Sequence, residues 1–168
     1  MQPLKVLAPQ LQLGNSARMA LHVPDRYFDR ISAIDVQRDL LDAGLKFALI
    51  DMDNTLVSRR THDVPSDIRA WLVRAKEAGV TLCIVSNNWH RTPFAWGREL
   101  DIPVIAKALK PLPHGFIQAR AHLGATSADT VVIGDQLGTD IVGGHLLGMK
   151  AFLVCPLATE DLKHTQIL

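Results

Sequence analysis

From about residue 46 the chain alternates between short apolar runs and longer segments in which apolar residues recur with helical spacing. The apolar runs are bounded by glycine, proline or polar residues and have the length and composition of buried β-strands. They span residues 47–51, 80–86, 103–106, 130–134 and 151–154. The pattern therefore predicts five strands.

Helices are predicted in the segments between these strands. The first begins at Pro65-Ser66, has Ser66 as its cap, places Ile68 and Trp71 on one face and ends at Gly79. Three more are predicted: from Thr92, from Pro111 to Leu123, and over about 139–148. Continuous apolar strands that alternate with helices predict an α/β fold, with a Rossmann-like parallel sheet covered by helices on both faces.

The chain before the first apolar run is predicted to hold a tail and a helix. Residues 1–22 are assigned to an N-terminal tail and residues 23–168 to one domain, with a helical segment over 23–45. An apolar stripe with two arginines beside it lies on that segment. It consists of Tyr27, Phe28, Ile31 and Ile34, flanked by Arg26 and Arg30. Packing of this stripe against the domain is favoured, and a membrane-surface helix is the alternative.

Composition narrows the class of protein. Of the 168 residues, 48% are hydrophobic and 21% are charged, which is ordinary for a globular domain, and the net charge of +1 gives no reason to expect nucleic acid as a partner. Cys83 and Cys155 lie far apart in apolar runs, which indicates reduced thiols inside a cell. Neither a membrane span nor a secretory signal is visible, so we expect a cytoplasmic protein and leave open a peripheral contact with the inner membrane face.

Polar residues whose side chains could bind a ligand or take part in a reaction follow each of the first four predicted strands. Because ligands bind at the carboxyl ends of parallel strands, we expect these residues to meet at one edge of the sheet. They are Asp51 and Asp53 after the first strand, Ser86, Asn87 and Asn88 after the second, Lys110 beyond the third, and Asp135 with Asp140 after the fourth. A calcium loop beginning at Asp51 is excluded, because its sixth position is Leu56 and its twelfth is His62.

This set resembles the haloacid dehalogenase (HAD) superfamily of phosphotransferases, and more narrowly its YqeG-type group, which includes mitochondrial phosphatidylglycerophosphate phosphatases. The motifs that carry the resemblance are D-M-D-N-T at 51–55, S-N-N at 86–88, K-P at 110–111 and G-D-Q-x-x-T-D at 134–140. The resemblance covers about residues 23–156, and the order of the four motifs along the chain is what makes it specific.

The resemblance implies a role for each carboxylate at this edge. Asp51 would attack phosphorus and become an aspartyl-phosphate, and Asp53 would act as general acid and then as general base. Mg²⁺ would be held by Asp51, the backbone carbonyl of Asp53 and Asp135. Lys110 would neutralise Asp51 and the phosphoryl group, and Asp140 would position Lys110. The presence of Asp53 favours phosphoryl transfer over dehalogenation, because a halide leaves without a proton.

The remaining motif residues are expected to support the phosphoryl group. Thr55 would orient Asp53, while the hydroxyl of Ser86 and the backbone N–H of Asn87 would hold phosphoryl oxygens. Asn54 would form the left-handed turn. Gln136 would support the residues that contact the substrate or the metal without contacting either itself. Two arginines in the loop after the first motif, Arg59 and Arg60, would bind a second anionic group of the substrate.

The spacing of the motifs leaves no room for an inserted cap domain. Only residues 56–64 separate Thr55 from Pro65, and the 21 residues between Asn88 and Lys110 are occupied by a helix and a short strand. An open site suits a large or surface-presented substrate, and phosphatidylglycerophosphate is the leading hypothesis. Three alternatives stay open: a nucleotide or small metabolite, a polynucleotide end, and a non-catalytic phosphoacceptor or interaction domain, which Asp53 opposes.

Overall fold

A computed structural model describes residues 20–158 of the chain and contains one sheet. The strands are β1 (Arg26–Phe28), β2 (Phe47–Ile50), β3 (Thr81–Val85), β4 (Val104–Ile105), β5 (Thr130–Gly134) and β6 (Lys150–Val154). Their order across the sheet is β1-β6-β5-β2-β3-β4, and every neighbouring pair is parallel. The predicted fold class, a Rossmann-like parallel sheet with helices on both faces, is confirmed.

Four α-helices connect or follow these strands. They are α1 (Ser66–Glu77), α2 (Thr92–Leu100), α3 (His114–Leu123) and α4 (Val142–Leu146). Ser66 is the first residue of α1 and Pro65 its cap, so the predicted capping role of Ser66 is wrong. A π-helical turn over Leu137–Ile141 precedes α4, where the sequence predicts a single helix over about 139–148.

The predicted helix over residues 23–45 is wrong. The segment contains β1, a 3-10 turn at Ile31–Ala33 and a π-helical turn at Val36–Leu41. β1 is an edge strand that pairs with β6, a partner more than a hundred residues away that local periodicity cannot reveal. Ile31 and Ile34 are buried and Tyr27 is exposed, which agrees with packing against the domain. Most of the predicted tail over 1–22 lies outside the described residues.

The core consists of two apolar layers, one on each face of the sheet. Successive residues of a strand point to opposite faces, so Ala48 and Ile50 belong to one layer and Leu49 to the other. Trp71 of α1 fills the first layer and donates its indole N–H to the Ile34 carbonyl at 2.8 Å. Phe116 of α3 lies in the second layer. Burial on both faces fixes the strands, and with them the loops at their carboxyl ends.

No cap domain is inserted in the part of the chain that the structure describes. The backbone over residues 56–64 forms turns and one isolated bridge between Val57 and Asp53, and the stretch from Asn88 to Lys110 holds α2 and β4. The edge of the sheet at which the strands end, here called the carboxyl edge, is therefore uncovered. None of the helices over residues 20–158 has the length and apolarity needed to cross a bilayer.

Candidate active site

The turn after β2 positions the first two aspartates. The backbone N–H of Asp51 donates to Ile133 of β5 at 2.9 Å, and the Met52 carbonyl accepts the N–H groups of the three residues Thr55 to Val57. Asn54 has φ 60°, the left-handed conformation expected for it, and its side-chain oxygen accepts the Arg59 N–H at 3.0 Å. The turn is thus held by its own backbone and by the neighbouring strand.

Three carboxylates converge at the centre of the carboxyl edge. Asp51, Asp135 and Asp140 each place one oxygen within 4.8 Å of the others. The Thr55 hydroxyl lies 3.3 Å from Asp51 Oδ2 and 3.4 Å from Asp135 Oδ1. The expectation that this hydroxyl orients Asp53 is therefore wrong: the turn directs Thr55 toward the carboxylate cluster.

Lys110 is the cation of this cluster. Its ammonium nitrogen lies 2.7 Å from Asp51 Oδ1 and 2.7 Å from Asp140 Oδ1, and its side chain is only 2% exposed. Gly134 makes room for this arrangement, because a Cβ at that position would lie 2.2 Å from Asp140 Oδ2. Gln136 contributes its backbone N–H, which donates to Asp140 Oδ2 at 3.3 Å.

The electrostatics of the cluster show an excess of negative charge. Burial, followed by the charge of Asp51, raises the pKa of Asp135 to about 8. Burial and Asp51 also raise the pKa of Asp140, against the opposing effect of Lys110. Burial alone would lower the pKa of Lys110, but the charges of Asp51 and Asp140 hold that pKa well above its usual range. One ammonium thus faces three carboxylates.

This donor set fits a divalent cation. Three carboxylates and one ammonium leave two formal negative charges, and carboxylate oxygens are the ligands that hard cations such as Mg²⁺ prefer. Among the described residues, Asp51, Asp135 and Asp140 form a group whose carboxylate oxygens lie close enough together to hold such an ion. The ligands predicted from the sequence are Asp51, Asp135 and the backbone carbonyl of Asp53, and they do not include Asp140.

Asp53 lies beside the cluster in a different environment. Burial, and then the negative charge of Asp51, raise the pKa of Asp53 above its ordinary value, while Arg59 and a hydrogen bond with the Asn88 side chain oppose that increase. A carboxyl group with a raised pKa is suited to carry a proton. Asn88 was not assigned a role from the sequence, although it is the third residue of the S-N-N motif.

The loop after β3 braces the loop that carries Lys110. Asn87 Nδ2 donates to the Lys110 carbonyl at 3.1 Å, and the Lys110 N–H donates to Asn87 Oδ1 at 2.7 Å. Ser86 is buried, and its hydroxyl oxygen accepts the Asn88 N–H at 3.1 Å. The sequence predicts that the Asn87 backbone N–H holds a phosphoryl oxygen. It does not predict that the Asn87 side chain holds the Lys110 backbone.

A groove of about 550 Å³ opens next to Asp135. It lies at the carboxyl ends of β1, β6 and β5, and its lining is mainly apolar with one cation. The residues that matter here are Tyr27, Arg59, Asp135, Leu137, Leu153 and Pro156. Arg59 thus lies between the groove and Asp53. Arg60 is exposed in the same loop, where its backbone N–H donates to Ser58 Oγ at 3.2 Å.

Comparisons with known proteins agree with this geometry. A family model described as HAD-hydrolase-like matches residues 108–159, which include Lys110, Asp135 and Asp140. The protein named probable phosphatase YqeG of Bacillus subtilis is 36% identical over 139 residues, which cover 83% of this chain and 80% of that protein.

Two further proteins extend the similarity. Phosphatidylglycerophosphate phosphatase 1, chloroplastic/mitochondrial, of Arabidopsis thaliana is 27% identical over 70% of this chain, and the alignment spans 36% of that longer protein. The crystal structure of a HAD phosphatase from Thermococcus onnurineus has the same fold, with a TM-score of 0.50, 22% identity, and coverage of 62% of this chain and 58% of that one. The resemblance in the four motifs is confirmed: this chain belongs to the HAD-like hydrolases, as a phosphatase of the YqeG type.

Proposed function

We propose that this phosphatase hydrolyses phosphomonoesters through an aspartyl-phosphate formed on Asp51, with Mg²⁺ as cofactor. The observation that carries the proposal is the convergence of Asp51, Asp135 and Asp140 at an open sheet edge, where a buried lysine pairs with Asp51 and Asp140. Three carboxylates beside one ammonium leave excess negative charge, and uncompensated charge in a partly buried site costs stability. A site that must attract a cation and a phosphate needs that excess.

The first chemical step joins Asp51 to phosphorus. One carboxylate oxygen of Asp51 attacks, the bond from phosphorus to the ester oxygen breaks, and Asp53 delivers its proton to the departing alkoxide. In the second step water attacks the aspartyl-phosphate, Asp53 takes a proton from that water, and the bond between phosphorus and Asp51 breaks. Inorganic phosphate and the ionised Asp51 are released.

The approach of Asp51 to a phosphate dianion is opposed by repulsion. At about 4 Å and an effective dielectric near 20, each pair of unit charges contributes about 4 kcal/mol. Lys110 offsets part of this repulsion from its position 2.7 Å from Asp51. The Ser86 hydroxyl and the Asn87 N–H supply hydrogen bonds for phosphoryl oxygens, and Thr55 adds its hydroxyl beside Asp51.

Asp51, Asp135 and the Asp53 carbonyl would hold Mg²⁺, which would supply Lewis-acid polarisation of the phosphoryl oxygens and neutralise charge. Asp140 lies close enough to the other two carboxylates to contribute a metal ligand. Its ion pair with Lys110 also balances the charge of that ammonium.

The substrate proposed is a phosphomonoester with a second anionic group, and phosphatidylglycerophosphate is the leading candidate. Three observations support it. The Arabidopsis relative carries this substrate in its name. No cap domain covers the carboxyl edge in the part of the chain that the structure describes. Arg59 lines the groove beside Asp135, in which we propose that a phosphodiester of the leaving group lies, and Arg60 is exposed in the same loop.

Phosphate release from a substrate panel tests the proposal. The panel contains phosphatidylglycerophosphate in mixed micelles, a nucleoside monophosphate, a sugar phosphate, a phosphorylated oligonucleotide and para-nitrophenyl phosphate, each with Mg²⁺ and with EDTA. Arg59→Ala combined with Arg60→Ala should raise KM for the lipid substrate by about tenfold or more and leave para-nitrophenyl phosphate little changed. Arg74→Ala on α1 is the control. An equal effect on both substrates would refute the arginine role, and activity in EDTA would refute the metal requirement.

A further inference from the structure

Three large apolar side chains protrude from the carboxyl edge on the side away from the groove. Trp89 is 62% exposed, Leu109 is 47% exposed and Leu112 is 58% exposed. We call these three residues the loop patch. Exposed tryptophan and leucine do not stabilise a fold, and when they are adjacent at a functional edge they indicate a surface for binding.

Hydrogen bonds join the two loops that carry the patch. The Lys107 N–H donates to the Asn88 carbonyl at 3.3 Å, next to Trp89, and the Leu112 N–H donates to the Leu109 carbonyl at 2.9 Å. The exchange between Asn87 and Lys110 is a second link between the two loops, whereas the bond from Leu112 to Leu109 lies within one of them. The patch is therefore one surface, built on the same loops that hold the catalytic lysine.

The backbone conformation leaves the Leu109 side chain exposed to solvent and directs the next side chain, Lys110, into the carboxylate cluster. Lys107 has φ 51° and Leu109 has φ 57°, a left-handed conformation that costs free energy for residues with a Cβ. Such conformations persist where the surrounding structure imposes them, and they are common at functional sites. The result is an exposed leucine immediately before a lysine that is almost completely buried.

The two chain segments that carry the patch contain basic residues and no acidic ones. Neither residues 86–98 nor residues 102–128 contain an aspartate or a glutamate. Lys107 places its ammonium nitrogen 5.3 Å from the Trp89 ring centroid, and Arg91 is exposed two residues after Trp89. A tryptophan with neighbouring cations is the combination found where proteins contact the interface of an anionic membrane.

We infer that the loop patch docks on an anionic phospholipid surface, so that the carboxyl edge faces the bilayer. The strand order supports this orientation, because β3 and β4 carry the patch on one side of Asp51 and β5, β6 and β1 carry the groove on the other. A second copy fits this surface less well, since a symmetric contact would bring its lysines and arginines together. The inference rests on the proposed function only for its biological purpose, which is access to a lipid phosphomonoester.

Cosedimentation with vesicles tests the docking surface. Vesicles of phosphatidylcholine alone are compared with vesicles of phosphatidylcholine and phosphatidylglycerol. The full chain should bind the anionic vesicles, and Trp89→Ser combined with Leu112→Ser should lower the partition coefficient by about tenfold or more. Val73→Ser with Leu146→Ser is the matched control, since these residues are 51% and 54% exposed and lie on α1 and α4. Circular dichroism verifies that each variant folds.

The outcomes separate this inference from the proposed function. Absence of binding to anionic vesicles, equal loss in the two double variants, or a patch variant that instead abolishes self-association would overturn the docking surface. A chain that releases phosphate from para-nitrophenyl phosphate and ignores vesicles contradicts the docking surface alone. A chain that binds vesicles through the patch and releases no phosphate contradicts the proposed function alone.

Discussion

Asn87 and Lys110 exchange two hydrogen bonds: the Asn87 amide donates to the Lys110 carbonyl at 3.1 Å and accepts the Lys110 N–H at 2.7 Å. The two residues are 23 positions apart and follow different strands. The side chain of one motif therefore fixes the backbone of the next, and with it the ammonium group that lies 2.7 Å from Asp51.

Asn87→Ala should lower kcat more than it raises KM, because the Lys110 loop loses both of its bonds to this side chain. Each lost bond that leaves a partly buried group unsatisfied costs about 1–3 kcal/mol, so the free energy of unfolding should also fall. Steady-state kinetics with para-nitrophenyl phosphate and urea unfolding measure the two effects. Gln118→Ala, on the exposed side of α3, is the control, and equal kinetics in the two variants would refute the bracing role.

Gly134→Ala should damage the site through Asp140. The new Cβ would lie 2.2 Å from Asp140 Oδ2, so the carboxylate must move and Lys110 loses one of its two carboxylate partners. Disturbing a buried ion pair costs about 3–5 kcal/mol, which thermal unfolding would detect. Gly138→Ala is the matched control, because a Cβ there meets nothing within 4 Å. Equal stability of the two variants would contradict this account of Gly134.

The residues at the ends of β2, β3 and β5 could be predicted because strand ends are local features. The apolar run before Asp51 predicts a buried strand, and parallel pairing then brings Asp51 and Asp135 to one edge. The left-handed turn at Asn54 could also be expected, since asparagine tolerates that conformation.

Features that depend on distant partners could not be predicted. The stripe around Tyr27 and Ile31 has helical spacing, but β1 forms because its backbone pairs with β6 across the fold. The Thr55 hydroxyl meets Asp135, which lies 80 residues away and follows another strand. Asn87 likewise finds its partner through the packing of two loops, a contact that no local pattern encodes.

The buried carboxylate of Asp39 should make the stability of the fold depend on pH. Burial acts to raise the pKa of Asp39. Hydrogen bonds from Arg38 and the Asp35 N–H, together with the charges of Arg38 and Arg26, outweigh burial and hold this pKa below its ordinary value. The ionised group therefore stabilises the fold above about pH 4, and this contribution disappears as the pH falls through the lower folded pKa.

Asp39→Asn should accordingly lower the free energy of unfolding at pH 7 by about 1–3 kcal/mol. The difference from the unchanged chain should shrink as the pH falls below about 4 and then through the lower folded pKa of Asp39, where the carboxylate of the unchanged chain takes up its proton. Urea unfolding at a series of pH values gives both quantities. A difference that stays constant across the series would show that the charge of Asp39 has no part in stability.

Mg²⁺ should stabilise the folded chain through the carboxylate cluster. A ligand at a hundred times its Kd contributes about 2.7 kcal/mol to the folded state, which thermal unfolding detects without any substrate. Asp135→Asn should abolish the increase in Tm, while Asp101→Asn, at the exposed end of α2, should preserve it. An Asp135→Asn variant that responds to Mg²⁺ as the unchanged chain does would exclude Asp135 as a ligand.

The most direct test of the account is to trap the phosphorylated enzyme. Asp53→Asn retains the nucleophile and lacks the group proposed to activate water, so it should turn over slowly and accumulate phosphate on the protein. The variant is mixed with para-nitrophenyl phosphate and Mg²⁺, quenched in acid and digested for mass spectrometry. We predict a phosphorylated Asp51 in this variant. The phosphate should be absent from a double variant that carries Asp51→Asn as well as Asp53→Asn. Normal turnover by the Asp53→Asn variant, or phosphate on another residue, would contradict the central claim.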